Sequence, residues 1–131
     1  MRRVKTGLCI AVVDDEASVR TMLRRLLRLA DYEVAAFKSG EDFIASLATS
    51  RPDCLILDVH MPGLSGFDVQ AQMRAANIDV PIIFITASDD IALDRSVFEA
   101  GGVTLLRKPF PNDELLAAIN AALQRKPEGV S

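Results

Sequence analysis

The clearest indication of the fold is the stretch LCIAVVDDE, Leu8 to Glu16. Its first six residues are apolar and strand-forming, as in a buried strand, whereas its last three are acids that a low-dielectric interior does not accept without compensation. A single acid here would be explained as the N-terminal cap of the next helix. Two adjacent acids at the carboxyl end of a strand, where open α/β sheets bind their ligands, indicate a cation.

The same pattern of an apolar run followed by a helix-periodic segment recurs along the chain and gives five βα units. Because the apolar runs are continuous rather than alternating, they predict a parallel sheet covered by helices on both faces. The predicted fold is a small doubly wound α/β domain. The five runs are LCIAVV (8–13), EVAAF (33–37), CLILD (54–58), PIIFIT (81–86) and VTLLRK (103–108).

Apolar residues at helical spacing in the first and last helices are interpreted as core stripes. The arginines on the other face of the first helix are interpreted as a solvated face. A second helix is expected to begin at Ser39-Gly40. The first stripe contains Val19, Met22, Leu23, Leu26, Leu27 and Ala30, and the last contains Leu115, Ala118, Ile119, Ala122 and Leu123.

Length and composition limit the classes of function. The 131 residues, half of them hydrophobic, are sufficient for one domain, and the net charge of −3 without a dense basic block argues against direct nucleic-acid binding. No run approaches the roughly 20 apolar residues of a membrane span, and no signal-peptide cleavage pattern follows the N-terminus, so a cytoplasmic location is expected. Cys9 and Cys54 lie in strand-like runs and are predicted to be buried thiols rather than a disulfide or redox pair.

Polar residues at the strand ends are expected to meet at one rim of the sheet. Taken singly, Asp58 is compatible with a turn, Thr86 with a helix cap and Lys108 with an exposed site. Three clustered carboxylates, however, repel by about 4 kcal/mol per pair near 4 Å at an effective dielectric of 20, which implies a divalent cation, a proton or a lysine nearby. Oxygen ligands of this kind suit Mg²⁺. The rim residues are Asp14, Asp15, Asp58, Thr86 and Lys108.

Four motifs at these positions resemble the receiver domain of two-component response regulators: VVDDE, LILDVHMPGLSGFD, IIFITA and LLRKPF. The resemblance covers residues 8–124 and implies a flavodoxin-like fold with strand order 2-1-3-4-5 and five flanking helices. Residues 1–7 are then an N-terminal extension, and residues 125–131 are a tail or the start of a linker.

The resemblance also implies roles for individual residues. Asp58 is the phosphoacceptor, Thr86 and Lys108 contact the incoming phosphoryl group, and the Lys108-Pro109 peptide is cis. Mg²⁺ is bound directly by Asp15, Asp58 and the backbone carbonyl of His60, with Asp14 acting through water.

The implied function is that of a phosphorelay switch rather than of an enzyme acting on separate substrates. The expected donor is a sensor histidine kinase or a phosphotransfer protein, and the expected output is a downstream protein or a C-terminal effector domain. Phosphorylation-dependent dimerisation is one form that this output can take. The switched surface comprises the fourth helix, fifth strand and fifth helix, here roughly Ile91 to Leu123.

One departure from the family concerns the switch. Three residues before the lysine the family usually has Tyr or Phe, whereas this chain has Leu105, so Thr86 and Leu105 together are the switch residues to examine. His60 and Ser88 occupy positions that tune the lifetime of the phosphoryl group in the family.

Two other classes of protein use similar chemistry or the same fold. A Mg²⁺-dependent phosphohydrolase with an Asp nucleophile would carry a second Asp two residues after it, where this chain has His60. A nucleotide- or flavin-binding module would carry a glycine-rich loop after the first strand, where this chain has acids.

Overall fold

The computed structural model describes residues 7–99 and 104–124, in which five strands and five helices alternate. The strands are β1 Cys9–Val13, β2 Glu33–Phe37, β3 Cys54–Asp58, β4 Ile82–Thr86 and β5 Thr104–Arg107. The helices are α1 Ala17–Leu29, α2 Gly40–Ser46, α3 Gly66–Ala75, α4 Ala92–Glu99 and α5 Asn112–Leu123.

All four strand pairings are parallel, and the sheet order is β2-β1-β3-β4-β5. The predicted doubly wound fold and its strand order are confirmed. The registers pair Val13 with Leu57, Asp58 with Ile85 and Thr86 with Arg107. The central strands therefore end at nearly the same level, which gathers the residues that follow them along one rim.

Two apolar layers hold the sheet between the helices. On one face, Phe43 of α2, Val69 of α3 and Leu93 of α4 pack on alternate strand residues such as Leu57. On the other face, helices α1 and α5 pack on Ile10, Val12 and Ile56. Both sides of each central strand are thus buried, which explains why the apolar runs in the sequence are continuous.

The α1 core stripe is narrower than its sequence pattern indicates. Leu23 and Leu27 are fully buried and Val19 and Leu26 pack partly against them, but the side chain of Met22 is 45% exposed. The prediction that Met22 belongs to the buried stripe is therefore wrong. A helix lying on a flat sheet buries a limited arc, and Met22 lies on the flank of that arc.

The prediction that both cysteines are buried is confirmed for Cys54 and only in part for Cys9. Cys54 is buried within β3, whereas Cys9, the first residue of β1, is only partly buried. Both are free thiols. Burial, together with the charges of Asp53 and Glu33, raises the pKa of Cys9 and keeps it in the thiol form at neutral pH.

Several local predictions are also confirmed. Ser39 caps α2 by accepting a hydrogen bond from the Asp42 N–H, and the Lys108-Pro109 peptide is cis.

None of the helices within the described ranges is both long and apolar enough to cross a membrane. The predicted N-terminal extension at 1–7, apart from Gly7, and the predicted tail at 125–131 lie outside the described residues.

Candidate functional site

The rim predicted from the strand ends exists in the structure. Asp14 directly follows β1, Asp58 and Thr86 are the last residues of β3 and β4, and Lys108 directly follows β5. Asp14 and Thr86 are fully buried and Asp58 is 4% exposed, whereas Asp15 is exposed. The structure thus buries Asp14, Asp58 and Thr86 at this rim, with Asp15 at its solvent edge.

Asp14, Asp15 and Asp58 form the acidic cluster. One carboxylate oxygen from each lies within 4.8 Å of the others. Carboxylate oxygens at such spacing are the ligands that Mg²⁺ takes, and a cation with retained waters fits a site open on the Asp15 side. The donor set therefore fits the ion that the sequence predicts.

Lys108 supplies positive charge to the buried part of this cluster. Its Nζ lies 2.8 Å from Asp14 Oδ2, 3.6 Å from Asp58 Oδ2 and 3.7 Å from Glu16 Oε1. Burial by itself would lower the pKa of Lys108, but the contact with Asp14 and the negative charges of Asp58 and Glu16 outweigh burial and raise that pKa. Lys108 is therefore a fixed cation at neutral pH.

One lysine does not neutralise the cluster. Burial and the charge of Asp14 raise the pKa of Asp58 to about 6, although Lys108 and the His60 N–H, which donates to Asp58 Oδ1 at 3.4 Å, act to lower it. The ordinary value is 3.8. The ionised form of Asp58 is thus disfavoured in metal-free protein, and a second cation nearby would stabilise it.

This shift predicts how the stability of the metal-free protein depends on pH. Since Asp58 binds its proton more tightly when folded than when unfolded, the folded state carries more protons between about pH 4 and 6, and the free energy of unfolding falls as pH rises through that window. The loss attributable to Asp58 is on the order of 2–3 kcal/mol.

The measurement is urea unfolding from pH 4 to 7 in EDTA for the unmutated protein and for Asp58→Asn. The difference between the two curves should isolate Asp58, because the other acids titrate in both proteins. A constant difference across the window would contradict the raised pKa.

The loop after Asp58 passes close to the backbone of β3. A β-carbon at Gly66 would lie 2.5 Å from the Asp58 carbonyl oxygen, and the Gly66 N–H donates to the Val59 carbonyl at 2.9 Å. Gly63 has φ of 75°, a conformation that favours glycine. The two glycines allow the loop to turn away from Asp58 while the side chain of His60 remains exposed.

Thr86 is held from both sides. Its Oγ1 accepts a hydrogen bond from the Ser88 N–H at 3.0 Å, and its carbonyl oxygen accepts one from the Lys108 N–H at 2.8 Å. Leu105, paired with Phe84 in the sheet register, is partly buried against the apolar layer under α2, α3 and α4.

Sequence reasoning did not single out Arg107, the last residue of β5. Its guanidinium donates to the carbonyl oxygen of Asp90 and contacts the carboxylate of Asp94. The period of two along β5 places Arg107 on the same side as Leu105, which was a usable signal. The contacts themselves depend on the position of α4, which the sequence pattern does not give.

Comparisons with known proteins agree with this arrangement. Residues 10–120 match the family described as response regulator receiver domain. Over 120 residues the chain is 42% identical to Nodulation protein W of Bradyrhizobium diazoefficiens and 42% identical to the response regulator MprA of Mycobacterium avium.

These alignments cover 92% and 91% of this chain but 53% of each relative, so the chain spans about half the length of the curated relatives it matches. Among solved structures, full-length FixJ from B. japonicum is similar with a TM-score of 0.84 and 34% identity, over 92% of this chain and 59% of that one.

Proposed function

Because the chain belongs to the response regulator receiver family of two-component systems, we propose that Asp58 is its phosphoacceptor and that Mg²⁺ is its cofactor. The observation that carries this proposal is the cluster formed by Asp58, two further aspartates and the Lys108 ammonium at the carboxyl rim of the sheet. A buried carboxylate with a cation at hand is suited to act as a nucleophile toward a phosphoryl group.

In the proposed step an oxygen of Asp58 attacks phosphorus on a phosphohistidine. The new bond joins that oxygen to phosphorus, the P–N bond breaks, and the imidazole of the donor leaves with the electron pair. The product is an acyl phosphate on Asp58 that carries about −1.5 to −2 of charge if it ionises like other protein phosphates, in place of the single negative charge of the carboxylate. Lys108 Nζ, 3.6 Å from Asp58 Oδ2, is placed to stabilise that charge.

Asp15, Asp58 and the backbone carbonyl of His60 would hold Mg²⁺, with Asp14 acting through water. The support is the spacing of the three carboxylates and the raised pKa of Asp58. When bound, the ion supplies positive charge that neutralises the oxygens of the transferring group.

The hydroxyl of Thr86 would donate a hydrogen bond to the phosphoryl group. The resulting conformational change would reach the surface made by α4, β5 and α5, roughly 91–123. Burial of Thr86 at the rim and its bond to the loop after β4 support this role. Leu105 is smaller than the usual aromatic residue and lacks a hydroxyl, so we propose that the β4–α4 loop, around Ala87 to Asp90, carries more of the signal than Leu105 does.

The proposed partners follow from the family. A sensor histidine kinase or phosphotransfer protein would donate the phosphoryl group, and a downstream protein or an effector domain in a longer regulator would receive the signal, with dimerisation on phosphorylation as one form of output. The proposed location is cytoplasmic. In this role the chain transfers a phosphoryl group to itself and releases it, and does not turn over other substrates.

We expect a small phosphodonor such as acetyl phosphate to label the chain at up to one phosphoryl group per molecule, and only with Mg²⁺ present. Intact-mass spectrometry measures the stoichiometry, and EDTA supplies the control. A phosphohydrolase would instead release phosphate continuously from a generic ester such as p-nitrophenyl phosphate. Many turnovers of that ester, without stoichiometric labelling, would contradict the proposed function.

A further inference from the structure

Arg107 ties the loop between β4 and α4 to the sheet. One guanidinium nitrogen donates to the Asp90 carbonyl oxygen at 2.8 Å and lies 3.2 Å from Asp94 Oδ2. The other terminal nitrogen lies 3.3 Å from Asp94 Oδ1. Because each terminal nitrogen contacts a different carboxylate oxygen of Asp94, the contact is bidentate and fixes the orientation of α4 as well as its distance from β5.

The loop is also bonded at every second residue from the phosphoacceptor rim outward. Thr86 Oγ1 accepts from the Ser88 N–H at 3.0 Å, and Ser88 Oγ accepts from the Asp90 N–H at 3.1 Å. Asp90 Oδ1 in turn accepts from the Ala92 N–H at 3.0 Å, where α4 begins. With Asp90 also bound to Arg107, an unbroken path of hydrogen bonds runs from the Thr86 hydroxyl to β5.

The contacts at the two ends of this path act on the loop in opposite directions. Movement of the Thr86 hydroxyl oxygen toward a group on Asp58 would displace the Ser88 N–H, and the loop would follow only if the contact between Asp90 and Arg107 yielded. Thr86 and Arg107 are paired in the sheet register, so the strand backbones give the loop a rigid frame. Arg107 is therefore placed to resist the movement.

We propose that Arg107 is a positioning residue that holds the β4–α4 loop and α4 in the resting arrangement and so sets how readily the loop responds to a phosphoryl group. The proposal rests on the proposed function of Asp58. A contact that exists in only one of two arrangements lowers the affinity for a ligand that favours the other, so removal of the contact should raise that affinity.

If Arg107 had a purely structural role, its removal would lower the melting temperature and leave the ligand affinity unchanged. The side chains of Arg107 and Asp94 are 33% and 58% exposed. Ion pairs this accessible contribute little to global stability. The effect of Arg107 should therefore appear in the local opening of the loop and in ligand affinity, with little change in the melting temperature.

The first measurement is amide hydrogen exchange by NMR in metal-free buffer, where no phosphoryl chemistry is involved. In Arg107→Met the Asp90 and Ala92 amides should exchange roughly twofold to fivefold faster than in the unmutated protein. The matched control is Arg95→Met, which removes an exposed arginine from α4 itself. Asp94→Asn, which weakens the same contact from its other side, should act in the same direction as Arg107→Met.

The second measurement is the affinity for beryllofluoride with Mg²⁺, a stable analogue of the phosphoryl group on a carboxylate. Arg107→Met and Asp94→Asn should bind roughly twofold to fivefold more tightly than the unmutated protein, and the affinity of Arg95→Met should be unchanged. Faster exchange with unchanged affinity would show that Arg107 only braces the loop, and unchanged exchange would show that it does not hold the loop. Either result would overturn the proposal.

Failure of the underlying function gives a separate signature. If the unmutated protein bound no beryllofluoride in the presence of Mg²⁺, the role of Asp58 would be wrong and the coupling to Arg107 would be overturned with it. Binding by the unmutated protein together with identical affinities in all variants would leave Asp58 supported and reject Arg107 alone.

Discussion

Asp58→Asn should abolish labelling of the chain by a phosphohistidine kinase or by a small acyl phosphate. An amide oxygen carries no negative charge and is a poor nucleophile, so loss of the carboxylate removes the attacking group itself. The fold should survive, because Asn matches the shape of Asp and the change removes a buried charge that Asp14 repels.

The matched control is Asp79→Asn, which neutralises an exposed acid shortly before β4, at the edge of the sheet opposite the acidic cluster. This variant should label like the unmutated protein. The site of labelling can be found by reduction of the acyl phosphate with borohydride and peptide mass spectrometry. A phosphoryl group located on Asp14, Asp15 or Ser65 of the unmutated protein would contradict the assignment.

Asp15→Asn should weaken Mg²⁺ binding by at least about tenfold. The affinity of an oxygen-ligand site depends on the number of charged ligands, and Asp15 is the exposed member of three carboxylates whose oxygens lie within 4.8 Å. A charge removed from within about 4 Å of a divalent ion is expected to cost more than the 1.4 kcal/mol that corresponds to tenfold. In metal-free buffer the thermal stability should be preserved or raised, because the remaining acids repel less.

Calorimetric titration suits this measurement, since the chain has no tryptophan to report binding by fluorescence. Glu16→Gln provides the control. It removes the same charge from an exposed residue that contacts Lys108 but is not part of the three-acid cluster. An unchanged Mg²⁺ titration in Asp15→Asn would show that Asp15 is only a helix-flanking acid.

These experiments distinguish the chemistry at the rim from the response of the β4–α4 loop. Asp58→Asn and Asp15→Asn test whether the rim accepts a phosphoryl group and binds Mg²⁺, whereas Arg107→Met tests how the loop responds to a bound phosphoryl group. Because Asp58 and Arg107 lie on different strands and share no direct contact among those described, a change in beryllofluoride affinity caused by Arg107→Met would have to reach Asp58 through the β4–α4 loop.

Much of the fold was predictable because its determinants are local in the sequence. Continuous apolar runs identify strands buried on both faces, as the packing of Leu57 and Ile56 on opposite layers shows. Helical spacing identified the core residues Leu23, Leu27, Leu115 and Ile119. It was wrong for Met22, because spacing gives the direction of an apolar stripe while the neighbouring surface decides how wide an arc is covered.

The residues that reach the rim can be read from the sequence alone, since parallel strands bring their carboxyl ends to one edge and each of these polar residues ends a strand or lies within two residues after one. Their different environments there depend on tertiary packing: Asp14 is buried against Lys108 while its neighbour Asp15 is exposed. Tertiary packing also decides that Asp58 has a pKa near 6 and that Arg107 holds Asp90 and Asp94. These properties depend on burial and on distances between residues far apart in the chain, which a pattern along one strand does not contain.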